Sequence, residues 1–315
     1  MRTAFIKMLS SLANNDKAVL LLTGDLGFGI FDDFRKEYPQ QFFNMGVAEA
    51  NMVSVAAGLA LEDKKPFIYS IAPFLTMRPY EQIRNDICFH GAKVVLAAAG
   101  GGFSYGSNGP SHHALTDIAL MRALPEMTVF TPADIHETSW AVKTAYAQQG
   151  PSYIRLGRNS EVCVHAKPLN GQDIQRGIVL SEGIDIAILV SGFILSNAMR
   201  AKDELIKRGH TVRLISFPLI KPLSEHLVID AFQQCSVVFT VEEHSFIGGF
   251  SSAVTELALA QGLALDKLCP IAAPDITIHE TGSHEYLRRK AGLDSNGILL
   301  RMLKFIEGKS YADRT

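Results

Sequence analysis

"AVLLLTGD", residues 18–25, is a short unbroken apolar run closed by turn residues. A run of this length fits a strand buried on both faces. It is followed by "NMGVAEANMVSVAAGLA", residues 44–60, a helical pattern that is apolar on nearly every side, and then by a second buried run, "PFIYSIA", residues 66–72. Strand, helix and strand in that order predict parallel strands joined by a crossover. The rhythm continues outward through "YEQIRNDICFH" (80–90), "KVVLAAAG" (93–100), "MTVFTPAD" (127–134), "ETSWAVKTAYAQQ" (137–149) and "PSYIRLGRN" (151–159). It resumes with "IDIAILVSG" (184–192), "LSNAMRAKDELIKRG" (195–209), "HTVRLISFP" (210–218), "SVVFTVEEH" (236–244) and "FSSAVTELALAQG" (250–262). The expectation is an α/β protein of two consecutive domains, 1–165 and 180–315, each a mainly parallel sheet flanked by helices. A polar, aperiodic stretch at 159–183, centred on "AKPLNGQDIQRG", is the expected linker, and the closing "GKSYADRT" is expected to fray.

The chain has 315 residues, which is room for two cores of ordinary size. Its 30 Lys and Arg stand against 32 Asp and Glu, a formal net charge of -2 that gives no electrostatic case for nucleic acid or an anionic membrane. The opening residues lack a signal-peptide core and no apolar run reaches membrane-spanning length, so a soluble, cytoplasmic protein is expected. Cys88, Cys163, Cys235 and Cys269 are widely spaced and form no CxxC pair; they read as core filler rather than a zinc site or a disulfide framework.

Five places could carry chemistry. Glu49 stands in the first turn of an otherwise apolar helix. Either the helix dipole and free amides stabilise it there, or it is a buried carboxylate able to share a proton with a bound heterocycle. In "YSIAPFLTMRPYEQ" the strand breaks at Pro73 and presents Phe74 at the start of a loop, either as ordinary packing or as a platform for a planar ring. "AAAGGGFSYGSNGPSHHALTD" permits close backbone approach and ends in His112 and His113; adjacent histidines point apart, and they lack a metal-spaced partner. Arg158 closes the last strand of the first domain, either solvated or able to fork onto a phosphate. "VEEH", 241–244, has the same position in the second domain, and its paired glutamates are expected to be exposed.

Together and in this order, "LLTGDLG", "FFNMGVAEANMVSVAAGLAL", "PFLTMRPYEQIRND", "GSNGPSHHALTDIALMRALPEMTVFTPAD", "GPSYIRLGRN" and "VEEHSFIGGFSSAV" span nearly the whole chain. In that set the chain resembles the C-terminal half of transketolase, and in particular the C-terminal subunit of a split, two-chain transketolase. The resemblance implies a pyrimidine-binding domain followed by a transketolase C-terminal domain, serving thiamine diphosphate. It implies that Glu49 hydrogen-bonds N1′ of the aminopyrimidine and favours the imino form that deprotonates the thiazolium. It implies that Phe74 stacks on that ring with Tyr69 close by, that His112 contacts substrate, and that Arg158 holds a substrate phosphate, with Arg2 as a further match. The expected reaction is transfer of a two-carbon ketol unit from a ketose to an aldose, on a sugar or sugar phosphate.

The Gly-Asp-Gly motif that holds the diphosphate and Mg²⁺ in that family is missing: "TGDLG" has Gly24 and Asp25 but no second glycine directly after them. A partner chain carrying the diphosphate-binding domain is therefore expected, in a heterotetramer of two copies of each, with a homodimer as the alternative for this chain by itself. Three departures bear on substrate. Asn108 replaces an acidic residue that reads a hydroxyl, Gly100 stands where many relatives have a phosphate-contacting histidine, and Gly29 lies near a serine position. The alternatives are a 2-oxo acid dehydrogenase E1 β-type or deoxyxylulose phosphate synthase-like subunit, and a non-catalytic regulatory half.

Overall fold

The computed structural model describes residues 1–158, 162–169 and 177–308; the centre of the expected linker and the polar tail lie outside them. Among the described residues, twelve strands occur in chain order: β1 Val19–Thr23, β2 Phe42–Asn44, β3 Lys65–Ile71, β4 Val95–Ala99, β5 Thr128–Phe130, β6 Ser152–Leu156, β7 Ile178–Ser181, β8 Ile186–Ser191, β9 Val212–Ser216, β10 Leu219–Lys221, β11 Val237–Ser245 and β12 Leu268–Ala273. They form two sheets, ordered β10-β5-β6-β4-β3-β1-β2 and β12-β11-β8-β9-β7. Every pairing is parallel except β10 with β5 and β7 with β9. The two-domain α/β architecture expected from the alternating pattern is the one observed.

The unbroken apolar character of β1 follows from its place inside the sheet. Leu20 and Leu22 join the cluster of Met52, Val53 and Ala56 on one face, while Val19 and Leu21 join Phe5, Leu9 and Phe67 on the other. Both faces are covered, so all five positions are buried and a charge would be stranded at any of them. Thr23, the last of the five, spends its hydroxyl on the Leu26 carbonyl at 2.9 Å. The helix Glu49–Leu61 buries Met52, Val53, Ala56 and Ala57 but leaves Ala50, Asn51, Ser54, Val55 and Gly58 exposed. Among the described residues, one side of that apolar helix is covered and the other is not.

The second half of the chain reaches back into the first sheet. β10 adds to β5 as an antiparallel edge strand, with Leu219 opposite Phe130. Beside it the Thr131 amide donates to the Pro218 carbonyl at 2.8 Å, and Ser191 Oγ donates to Thr131 Oγ1 at 2.8 Å. The two sheets are thus tied through backbone as well as side chains.

Three local expectations are corrected. The strand does end before Pro73, but a helix, Ala72–Met77, begins at once, with Pro73 in the first turn where its missing N–H is no loss. Phe74 therefore stands on a helix rather than a loop. Glu242, Glu243 and His244 are buried, because β11 continues through them and the helix and loops around it supply hydrogen-bond partners. Cys163 is exposed, in the aperiodic segment after the first domain, while Cys88, Cys235 and Cys269 are buried. Among the described residues no helix is long and apolar enough to cross a membrane.

Candidate active site

The carboxyl ends of β1, β3, β4 and β6 converge on one region, where crossover connections leave strand ends open to a ligand. Glu49 enters it from the first turn of its helix and is only 3% exposed. Its Oε1 accepts from Ser70 Oγ on β3 at 3.1 Å, and its Oε2 accepts from Arg78 at 2.9 Å. The Arg78 guanidinium also lies over the Phe74 ring, 3.9 Å from its centroid. Carboxylate and aromatic are thus brought together, both engaged by one planar cation.

His112 lies beside Phe74, its ring edge-on at 5.0 Å. It ends a 3₁₀ turn, Pro110–His112, and its Nδ1 is 3.0 Å from Ser111 Oγ. Burial depresses its pKa, and the nearby positive charges of Arg78 and Arg158 depress it further. At neutral pH its imidazole is uncharged, suited to exchanging hydrogen bonds with hydroxyl or carbonyl oxygen. His113 turns the other way and packs edge-on to Phe103, so the pair does diverge.

The glycine run between β4 and this turn is filled by the chain's own side chains. A Cβ on Gly100, whose φ is +84°, would meet the Tyr105 ring at 1.9 Å. One on Gly101 would meet Arg155 Nε at 2.7 Å, and one on Gly102 would meet Glu243 Oε1 at 2.2 Å. The glycines therefore admit three supporting groups. Tyr105 in turn carries the Arg158 guanidinium, 4.6 Å above its ring, and Arg158 reaches Ser107 Oγ at 3.4 Å. Asn108 is exposed on the same turn, its Oδ1 accepting from Ser107 Oγ. Arg158, Tyr105, His112, Phe74, Arg78 and Glu49 follow one another in contact, with Ser107 and Asn108 beside Arg158.

Tyr69 is not brought to it. Neighbouring residues on a strand face opposite ways, and since Ser70 points to Glu49, Tyr69 points into the other face. There it packs on Phe5 at 5.9 Å and Phe31 at 4.7 Å. Burial, with Tyr105 nearby, pushes its phenol pKa up against the opposing effect of Arg2. Arg2 thus lies beside the Tyr69 hydroxyl.

Behind the glycine run stands a buried ionic frame. Glu243 accepts from the Phe103 amide at 2.7 Å and from Arg288 Nε at 2.6 Å, and its Oε1 is 2.7 Å from His284 Nε2. Burial alone would raise its pKa, but Arg288 and His284 hold it well below the carboxylate range. Glu242 accepts from the Phe250 and Ser251 amides at 2.7 Å each, capping the next helix.

Sequence reading passed over Arg78, Tyr105 and Ser70. Arg78 had a usable signal: it stands four residues after Phe74, a spacing that puts two side chains on one helical face. Ser70 and Tyr105 carried none, because a serine on a strand and a tyrosine after glycines are unremarkable locally.

A mainly parallel sheet with a buried carboxylate and an aromatic at its carboxyl edge, tied to a second mainly parallel sheet, defines a two-domain α/β protein with a candidate ligand site at its strand ends. Residues 1–161 match the transketolase pyrimidine binding domain and residues 175–298 the transketolase C-terminal domain. The chain is 33% identical over 306 residues to a putative transketolase C-terminal section of Methanocaldococcus jannaschii, covering 96% of this chain and 95% of that one. It is 32% identical to one subunit of an apulose-4-phosphate transketolase of Phocaeicola vulgatus, covering 97% of each. It is also 32% identical to 1-deoxy-D-xylulose-5-phosphate synthase 1 of Geobacter sulfurreducens, spanning about half of it, 47%. A split-gene transketolase solved as an inactive β4 tetramer superposes with a TM-score of 0.87 at 35% identity, covering 98% of both chains. The chain belongs to the transketolase family and carries that family's pyrimidine-binding and C-terminal domains.

Proposed function

We propose that this chain is the C-terminal subunit of a thiamine diphosphate-dependent transketolase, moving a two-carbon ketol unit from a ketose to an aldose. The observation that carries the reading is the pairing of Glu49 with Phe74: one buried acceptor and one aromatic face, both already in use by a planar cation. Those residues fit an aminopyrimidine. When bound, thiamine diphosphate would supply the electron sink for carbon–carbon cleavage beside a carbonyl.

This chain's own residues would do the rest. Phe74 orients the ring by its face. Glu49 holds or releases a proton at its carboxylate, shielded from water so that the exchange goes to the bound ring rather than to solvent. Neutral His112 hydrogen-bonds the reacting oxygen of the sugar. Asn108 and Ser107 offer hydroxyl contacts, and Arg158, held on Tyr105, offers a fork to phosphate or to a terminal hydroxyl. Tyr105 fills the space above Gly100, so a phosphate would be read from the Arg158 side.

A partner subunit supplies the diphosphate domain and its Mg²⁺, in a complex of two copies of each chain. Support comes from the two relatives of matching length, one named as a C-terminal section and the other as a subunit, and from exposed apolar side chains beside the site. Phe28 is 79% exposed and Val47 72%, and the helix Glu49–Leu61 has an uncovered side. A second reading, a synthase that decarboxylates a 2-oxo acid, is favoured by the equal identity to deoxyxylulose phosphate synthase.

Calorimetry with thiamine diphosphate and Mg²⁺ tests the split site: binding is expected with the partner present and not with this chain alone. Sugar pairs and pyruvate then separate the reactions. Ketol transfer without CO₂ supports the transketolase, and rapid CO₂ release from pyruvate would replace it with the synthase.

A further inference from the structure

Arg78 makes both of the contacts that a planar heterocycle would need, and makes them with the same two residues. Its guanidinium lies 3.9 Å from the Phe74 centroid and donates to Glu49 Oε2 at 2.9 Å. Among the described residues it hydrogen-bonds to nothing else. Its side chain is 46% exposed where the Glu49 side chain is 2% exposed, so the cation reaches in from solvent to a carboxylate at the bottom of the site. It directly follows the short helix Ala72–Met77, one turn beyond Phe74 and just before Pro79.

We propose that Arg78 is an internal plug of the ligand-free subunit, a planar cation that occupies the aminopyrimidine position and must leave before a ring can bind. The inference rests on the cofactor reading above. The physical reason for a plug is Glu49 itself. Apart from Arg78, this deep carboxylate has Ser70 as its one side-chain donor among the described residues, and an acceptor buried without partners is costly, so Arg78 satisfies it where no ring does. The plug is held by one half-exposed ion pair and one cation–π contact, which are individually weak. It is therefore displaceable, and it lowers ring affinity by the work of displacing it.

The test uses two probes and the variants Arg78→Met and Arg78→Met/Glu49→Gln, with melting curves to show that each is folded. The first probe is the free hydroxymethyl aminopyrimidine, titrated into this chain alone. The second is thiamine diphosphate with Mg²⁺, titrated into the complex with the partner subunit. Removing the cation should tighten binding of either probe roughly 3- to 10-fold, the scale of a half-exposed ion pair plus a cation–π contact. The added Glu49→Gln change should abolish that gain. Equal or weaker binding by Arg78→Met in a complex that still binds thiamine diphosphate would overturn the plug and leave the cofactor reading intact. Failure of the wild-type complex to bind thiamine diphosphate would overturn both.

Discussion

Arg155 and Asp117 lie 2.7 Å apart with both side chains buried, and Arg155 also donates to the Ala114 carbonyl at 2.8 Å and the Glu243 carbonyl at 3.0 Å. One guanidinium therefore ties the end of β6, the segment after His112 and β11 of the second sheet. Tyr153 completes the arrangement by donating to Asp117 at 2.6 Å. Replacing Arg155 with Met would strand a buried carboxylate, at a cost of about 3–5 kcal/mol. Urea unfolding should show that loss, and Asp117→Asn should show one of similar size, because it leaves the buried Arg155 guanidinium without its carboxylate.

Glu49→Gln keeps the shape of the side chain and removes its capacity to share a proton. In the complex with the partner subunit, turnover should fall by about 10²-fold or more, the usual scale of a general acid–base contribution. The melting temperature of the chain should change little. Full activity in the variant would remove Glu49 from the mechanism.

Gly100→Ala would put a methyl 1.9 Å from the Tyr105 ring, at a φ of +84° that side chains rarely adopt. Tyr105 must then move, and Arg158 loses the face it rests on. The expected outcome is a rise in KM for the sugar substrate larger than the fall in kcat, measured by steady-state kinetics. A purely structural effect would lower stability and leave KM alone.

Val164 and His165 are pinned by hydrogen bonds to the helix Ile135–Ala147 and its cap. Asp134 accepts from the Val164 and His165 amides at 2.9 and 3.0 Å, and His165 Nε2 is 2.8 Å from Glu137 Oε1. Burial alone would lower the His165 pKa, but the Glu137 hydrogen bond and charge raise it above its ordinary value. A raised histidine pKa contributes stability that is full below the unfolded value, about 6.5, and is lost as pH rises through the folded value. His165→Gln should thus cost about 1 kcal/mol at pH 6 and less at pH 9, read from denaturation midpoints at the two pH values.

Glu243 gives the opposite sign. Its carboxyl is held low by Arg288 and His284 against the raising effect of burial. The stability it contributes is present above the unfolded value, about 4.3, and is lost as pH falls below that toward the folded one. Arg288→Ala should therefore destabilise the chain strongly at pH 7 and by a shrinking margin as the solution is acidified below about pH 4.

The order of strands and helices was legible because it rests on short-range pattern: an apolar run over 18–22 with no polar break, and a helix period that begins at Glu49. The positions of Glu49, Phe74 and His112 near strand ends were legible for the same reason. Arg78 could have been found from its spacing to Phe74. What the pattern could not supply is contact between groups far apart in the chain. Glu49 meets Arg78 across 29 residues, Phe103 meets Glu243 across 140, and Arg155 meets the Glu243 carbonyl across 88.

Those distant contacts reverse local expectations in both directions. The glutamates of "VEEH" are buried because β11 runs on through them and Arg288, His284 and helix amides meet their charge. Tyr69, adjacent in sequence to Ser70, is turned from the site because alternate strand residues face opposite layers. The sequence by itself determined the α/β class and the alternation of strands and helices through two successive domains, since these depend on period and residue type. Tertiary structure alone decided which charges are paired, which side chains fill the glycine run and what now covers Glu49, because an ion pair or a close approach exists only once separate segments are held within a few ångströms.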